Sequence, residues 1–118
     1  MRASDALGRL GEDLAARHLQ QMGMVILERN YRCRFGELDI IARDGDVLVV
    51  CEVKTRTTEA FGSPLSAVSQ VKLLRMRRIA LAWLKERGLW IRVVRFDVIG
   101  ILHPPTGRPM LEHLRDVA

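Results

Sequence analysis

The amino-acid sequence predicts an α/β domain, a mixed sheet with flanking helices built in the order α-β-β-β-α-β. Three observations lead there. Two long segments, about 5–22 and 65–87, repeat apolar residues at helical spacing. Four shorter runs rich in Val, Ile and Leu separate or follow them. Two of those runs flank Asp44-Gly45-Asp46, and Asp-Gly between β-branched runs is a strong hairpin signal. The 118 residues suffice for one compact core and are too few for two ordinary domains, so 1–118 reads as a single domain. With 48% hydrophobic and 28% charged residues the composition is globular, which argues against disorder, collagen or a coiled coil. No apolar run approaches the roughly 20 residues of a membrane helix. The N-terminal segment also lacks the basic, apolar and small-residue succession of an export signal. A cytoplasmic protein with no membrane partner is expected.

Each element has its own warrant. Ser4 or Asp5 can cap the first helix, and Gly23 stops it after about Met22. At 100° per residue Leu7, Leu10, Leu14, Ala15, Leu19 and Met22 share one broad face, with Arg9, Asp13 and Arg17 pointing away. Glu12 lies at the margin of that face. Its neighbours one turn away, Gly8, Ala15 and Ala16, are small and leave room beside its carboxylate. A β-rich segment from Met24 to about Asn30 leads into the loop YRCRF. Strands of about 37–43 and 47–55 follow. Val47, Leu48, Val49 and Val50 are apolar on both faces, as suits a central strand covered by helices. The polar connection TRTTEAFGSP opens the helix of about 65–87, with Ser69 or Ser66 capping its main part and Gly88 as its stop. Leu73, Met76, Ile79, Ala80, Trp83 and Leu84 form its apolar arc. Trp90 to Leu102 reads as one long strand and HPPTGRP as a loop, while the tail PMLEHLRDVA is too short to assign between strand and helix.

The formal net charge of +5 is local in origin. Residues 70–95 hold Lys72, Arg75, Arg77, Arg78, Lys85, Arg87, Arg92 and Arg95 against the single acid Glu86, a contribution of +7, and the rest of the chain sums to −2. Arg75, Arg78 and Lys85 fall on one arc, so part of the excess is a helix stripe. Such a stripe is the footprint of phosphate-backbone binding; the plainer reading is a solvated face that keeps a small protein soluble. Cys33 and Cys51 form neither a disulfide framework nor a zinc motif, and Cys51 reads as a small buried hydrophobe. His18, His103 and His113 lack metal-ligand spacing and are assigned structural or surface roles.

Residues two apart on a strand share a face, which pairs Glu52 with Lys54 and Glu37 with Asp39. A two- or four-residue turn keeps all four on one side, with Asp39 opposite Glu52 for four residues and diagonal to it for two. A three-residue turn or a bulge breaks that parity. Two carboxylates and a lysine inside an apolar hairpin are costly unless something holds them. A magnesium ion would do so, with Asp39 and Glu52 as oxygen ligands and Lys54 orienting water and offsetting negative charge. The plainer alternative is an internal ion-pair cluster in which Lys54 neutralises its acids, with Glu37 on the surface.

The blocks GEDLAARHL, GELDIIARDGDVLVVCEVKTR and FDVIGI, in that order over about residues 5–102, resemble the YraN-type family of small bacterial proteins. That family is similar to the restriction-endonuclease-like PD-(D/E)xK nucleases and to Holliday-junction resolvases among them. The resemblance implies a restriction-endonuclease-like α-β-β-β-α-β core. It also implies Asp39 and Glu52 as ligands of Mg2+ or Mn2+, Lys54 as the catalytic lysine, and Glu12 as the acid carried on the first helix. Gln70 resembles an assisting polar position, although an ordinary helix-start residue is the stronger reading. Leu38 stands where the motif name has proline. The expectation is a Mg-dependent endonuclease acting on DNA or structured nucleic acid, with Arg32, Arg34, Lys72, Arg75 and Arg78 tracking the backbone. Resolvase-like relatives imply a possible homodimer. The alternative is a non-enzymatic nucleic-acid-binding or repair-assembly module on the same fold.

Overall fold

The apolar runs of the sequence become seven elements in the computed structural model of the chain, which describes residues 3–58, 66 and 68–118. They are α1 (Ala3–Gln21), β1 (Val25–Cys33), β2 (Gly36–Asp44), β3 (Val47–Arg56), α2 (Gln70–Arg87), β4 (Val93–Leu102) and β5 (Met110–Leu114). The strands form one mixed sheet in the order β1-β2-β3-β4-β5, in which only β3 and β4 run parallel. This is an α/β architecture consistent with a restriction-endonuclease-like core. The parallel pair follows from α2, because a helical crossover returns the chain to the same end of the sheet before β4 begins.

Strand β3 is apolar on both sides because it has a helix on each. Leu48 and Val50 join Met76, Ile79, Ala80 and Trp83 of α2, with Ile41 and Phe96. The alternate residues Val49 and Cys51 join Ala15, Ala16 and Leu19 of α1, with Ile40, Ala42 and Ile99. Cys51 is a buried free thiol in that second layer. Helix α1 lies close against the sheet at Gly11, where a Cβ would stand only 1.8 Å from Thr55 Oγ1. That close approach takes the small residues Gly11, Ala15 and Ala16 inward and leaves Leu10 and Met22, expected on the apolar face, largely exposed.

Several boundaries differ from the sequence expectation. Strand β1 continues through Tyr31 to Cys33, and Cys33 pairs with Gly36, so Arg34-Phe35 is a hairpin turn within the segment read as a loop. Helix α2 begins at Gln70, capped by the Ser69 side chain, which accepts from Lys72 N at 3.1 Å, and ends at Gly88 in the left-handed conformation. Residues 65 and 67, inside the expected helix, lie outside the described residues. Strand β4 starts at Val93, leaving Trp90 94% exposed. The tail is a strand, β5, antiparallel to β4. No helix among the described residues is long and apolar enough to cross a membrane.

Asp97 of β4 is fully buried. Burial alone would raise its pKa, but bonds from His113 Nε2 (2.8 Å), Arg95 (3.0 Å to each carboxylate oxygen) and the Asp116 backbone N–H (3.0 Å) hold it down at about 2. His113 Nδ1 in turn meets His18 Nε2 at 3.0 Å. Two histidines scattered in sequence are thus joined, tying α1 and β5 to the sheet through one buried carboxylate.

Two stability predictions follow from these contacts. Gly11→Ala is expected to lower unfolding free energy by about 1–3 kcal/mol in urea titrations, with Thr55→Ala restoring part of the loss. Asp97 has its pKa depressed in the fold, so its stabilisation, about 2 kcal/mol, is present above its ordinary value and lost as pH falls through about 2. The stabilities of the native protein and Asp97→Asn should therefore differ at pH 7 and converge near pH 2.

Candidate active site

The site forms where β2 and β3 part. Their ladder runs from Asp44↔Val47 across the two-residue loop Gly45-Asp46 to Ile40↔Cys51 and goes no further. Continued by one residue, that register brings Asp39 level with Glu52 rather than diagonal to it, which corrects the placement expected for a two-residue turn. At the parting, the Val53 N–H donates to Asp39 Oδ2 at 2.9 Å. Strict alternation also fails here. Leu38 packs in the layer of α2, whereas Ile40, two residues on, packs in the layer of α1. On the other side of β2, the β1 ladder skips Asn30 and Asp39, and Asn30 has a positive φ of 53°. Asn is among the few non-glycine residues that tolerate that conformation, and its side chain lies near enough to Glu12 to favour the charged carboxylate.

Acids outnumber cations at this point. Burial, then the neighbouring Glu52 carboxylate, push the half-buried Asp39 up to about 7, with Glu12 and Glu37 adding to the rise and the Val53 N–H opposing it. Glu12 is raised as well, first by burial, while Asn30 and Arg29 oppose the shift. Glu52 is buried, and Lys72 Nζ of α2 meets its Oε1 at 2.7 Å. Lys72, expected to track phosphates, therefore serves as the counter-ion of Glu52. Lys54 is half-buried two residues beyond Glu52 on β3 and makes no ion pair with either acid among the described residues. The internal-cluster alternative thus has a different lysine at its centre. Glu37 is exposed and pairs with Arg32 at 3.2 Å. The structure thus brings Asp39, Glu52 and Glu12 into one electrostatic group and adds Lys72, Asn30 and the Val53 N–H. The sequence marks Lys72 as a phosphate-tracking cation and Asn30 as an asparagine inside a β-rich run, and neither as a partner of these acids.

The remaining basic positions line α2 and the β1–β2 turn. Arg34 and Arg78 place their guanidinium carbons 4.8 and 4.3 Å from the centre of the Phe35 ring. The Arg75 side chain passes beside Gly36. Gln70, the first residue of α2, is exposed. Among the described residues no three His, Cys, Asp or Glu side chains are gathered as a metal cage. The donor set at the parting is instead two hard carboxylates, crowded by further acids and supplied with one cation. That set fits a magnesium-type ion, which takes few protein carboxylates and completes its shell with water or phosphate oxygens.

The sequence model of the uncharacterised protein family UPF0102 matches residues 11–101. A UPF0102 protein of Nocardioides sp. is 52% identical over 112 residues, covering 95% of this chain and 90% of its own. One of Streptomyces griseus is 54% identical over 119 residues, covering all of both chains, and one of Arthrobacter sp. is 50% identical over 117 residues, covering 99% of each.

The displaced titration of Asp39 has a definite sign. Its folded pKa lies above the ordinary 3.8, so its contribution favours the fold at low pH and is lost as pH rises through about 7. Asp39→Asn, which keeps an acceptor for the Val53 N–H, should raise the melting temperature in chelator at pH 8 by roughly 5 °C or more. The gain should close toward pH 4. A melting series across pH, read by circular dichroism, measures it.

Proposed function

Since the chain belongs to the uncharacterised protein family UPF0102, and its sheet sets two carboxylates together under a basic helix, we propose that it is a metal-dependent nuclease hydrolysing phosphodiester bonds in DNA or structured nucleic acid. One observation carries this reading: Asp39 and Glu52 follow the last β2–β3 pair, Ile40↔Cys51, and the Glu52 charge acts on Asp39 there, with Glu12 adding a third acid and Lys72 as the one described counter-ion of Glu52. A binding protein has no use for clustered acids that repel phosphate.

Asp39 and Glu52 would hold Mg2+ or Mn2+, which supplies Lewis-acid polarisation of the phosphoryl oxygen and acidifies water. The other roles fall to the chain itself. The Val53 N–H fixes the Asp39 carboxylate, so one oxygen is already oriented. Glu12, whose charged form the Asn30 side chain favours, would accept a hydrogen bond from water near Asp39. Lys54, without a carboxylate partner among the described residues, has its ammonium available to offset charge growing on the phosphate. Lys72, released from Glu52, would turn to a neighbouring phosphate, joined by Arg75. Two copies of the site in a homodimer would cut two strands in concert, whereas one suffices for nicking.

A second reading, a non-enzymatic nucleic-acid-binding module on the same fold, is favoured by one contact. The Lys72–Glu52 pair neutralises the buried acid without any metal.

Incubation with branched, flapped and single-stranded DNA separates the two. Cleavage is expected only with Mg2+ or Mn2+, to fall at least about 100-fold in Asp39→Asn and in Lys54→Ala, and to fall at acid pH as protons compete with the metal for Asp39. Cleavage unchanged in both variants would identify a contaminating nuclease. A melting temperature unmoved by millimolar Mg2+, with no cleavage, would support the binding module.

A further inference from the structure

Beyond the acid site, α2 and the β1–β2 turn enclose a groove of about 650 Å³, lined by Arg34, Phe35, Arg78, Leu81, Lys85 and Glu86 among others. We infer that this groove holds an unpaired nucleotide, so that the nucleic acid recognised by this protein carries a single-stranded segment next to the acid site. The inference takes its substrate from the nuclease reading above, but binding in the groove needs no catalysis.

The chemistry of the lining points to a nucleotide rather than to phosphate alone. The Phe35 ring is contacted by two guanidinium groups, with Arg34 and Arg78 at 4.8 and 4.3 Å from its centre. Held over the ring in this way, the guanidinium groups offer surfaces on which a base can lie, while their N–H groups can reach a phosphate. Leu81 is 54% exposed beside them and supplies apolar contact for a base edge. Lys85 adds a third cation. The acid of the lining, Glu86, accepts from the Tyr31 hydroxyl at 2.7 Å and keeps its charge, and Arg34, Arg78 and Lys85 outnumber it, so the groove presents net positive charge over an apolar floor.

Its position fits the same occupant. Lys72, Arg75 and Arg78 recur every three residues along α2, and the first of them touches Glu52. At 1.5 Å rise per residue, the groove at Arg78 begins about 9 Å along the helix axis from Lys72. A strand with a phosphate near Asp39 and Glu52 can therefore run along this row and lay a neighbouring base on the guanidinium surface. A base inside a duplex is sandwiched in its own stack and has no free face to offer. The groove thus selects the unpaired state.

Fluorescence anisotropy in chelator, where no cleavage occurs, tests this on the full chain. The probes are a labelled strand of about ten thymidines, the same strand with abasic positions, and a blunt duplex. The intact strand should bind at least about tenfold tighter than the abasic one. Arg78→Lys, which keeps the charge and loses the plane, should bring the intact strand to the abasic level and leave the duplex within about twofold. Phe35→Leu should act in the same way, and Arg78→Lys, at an exposed position, carries the test should Phe35→Leu fail to fold. Equal binding of intact and abasic strands would overturn the inference and leave a row of phosphate contacts. Displacement of the strand by an oligoglutamate peptide at equal concentration would also overturn it, in favour of an acidic protein partner. Base-dependent binding without metal-dependent cleavage would overturn the nuclease reading and keep the groove; cleavage without base dependence would do the reverse.

Discussion

A carboxylate taken out of water inside a β-sheet has to be met by a cation, by N–H donors or by a proton, and the aspartates of β2 and β4 meet that requirement in opposite ways. Asp97 receives bonds from His113, from Arg95 and from a backbone N–H, and its pKa is held at about 2. Asp39 receives one backbone N–H, and burial first, then crowding by Glu52, Glu12 and Glu37, push its pKa to about 7. The same residue type, in one sheet of one small domain, is thus a finished structural tie in one place and an unbalanced charge in the other. Unbalanced buried charge clusters at functional sites more than elsewhere, and the functional proposal draws on that. This contrast underlies both the architecture and the functional proposal.

The cations of residues 70–95, one excess when counted along the chain, divide into separate tasks in space. Arg95 is bound to Asp97 and Asp44. Arg87 is paired with Glu28, which also accepts from the Trp83 indole at 2.9 Å. Arg77 lies over Phe96, and Lys72 is joined to Glu52. The basic surface left along α2 is therefore narrower than the charge count implies. It is centred on Arg75, Arg78 and Lys85, on the side that runs from the acid pair to the β1–β2 turn.

Backbone irregularity gives the acid group its shape. The β2–β3 ladder stops one residue short of Asp39, Asn30 adopts a left-handed conformation opposite, and the strand passes from one packing layer to the other between Leu38 and Ile40. A regular strand would have left the Val53 N–H pointing into a ladder. Here it points to a carboxylate. Close docking of α1 through Gly11 against Thr55 sets Glu12 on the same end of the sheet.

The order α-β-β-β-α-β, the Asp-Gly hairpin, the two-sided apolar character of β3 and the Ser69 and Gly88 helix ends were legible in the amino-acid sequence, which did not decide β5 and which named Glu12, Asp39, Glu52 and Lys54 as candidates. They depend on short-range rules of period, capping and turn chemistry, or on motif spacing. Tertiary structure decided which lysine touches Glu52, because Lys72 is twenty residues from it in the chain and is brought there by the packing of α2. It also decided that His18 and His113, ninety-five residues apart, share one hydrogen bond, and that Asp39 is crowded while Asp97 is fully partnered. Local pattern names the groups able to ionise. Which of them find partners is fixed only when distant segments close around them, since electrostatic energy depends on separation in space and on lost water, and sequence distance measures neither.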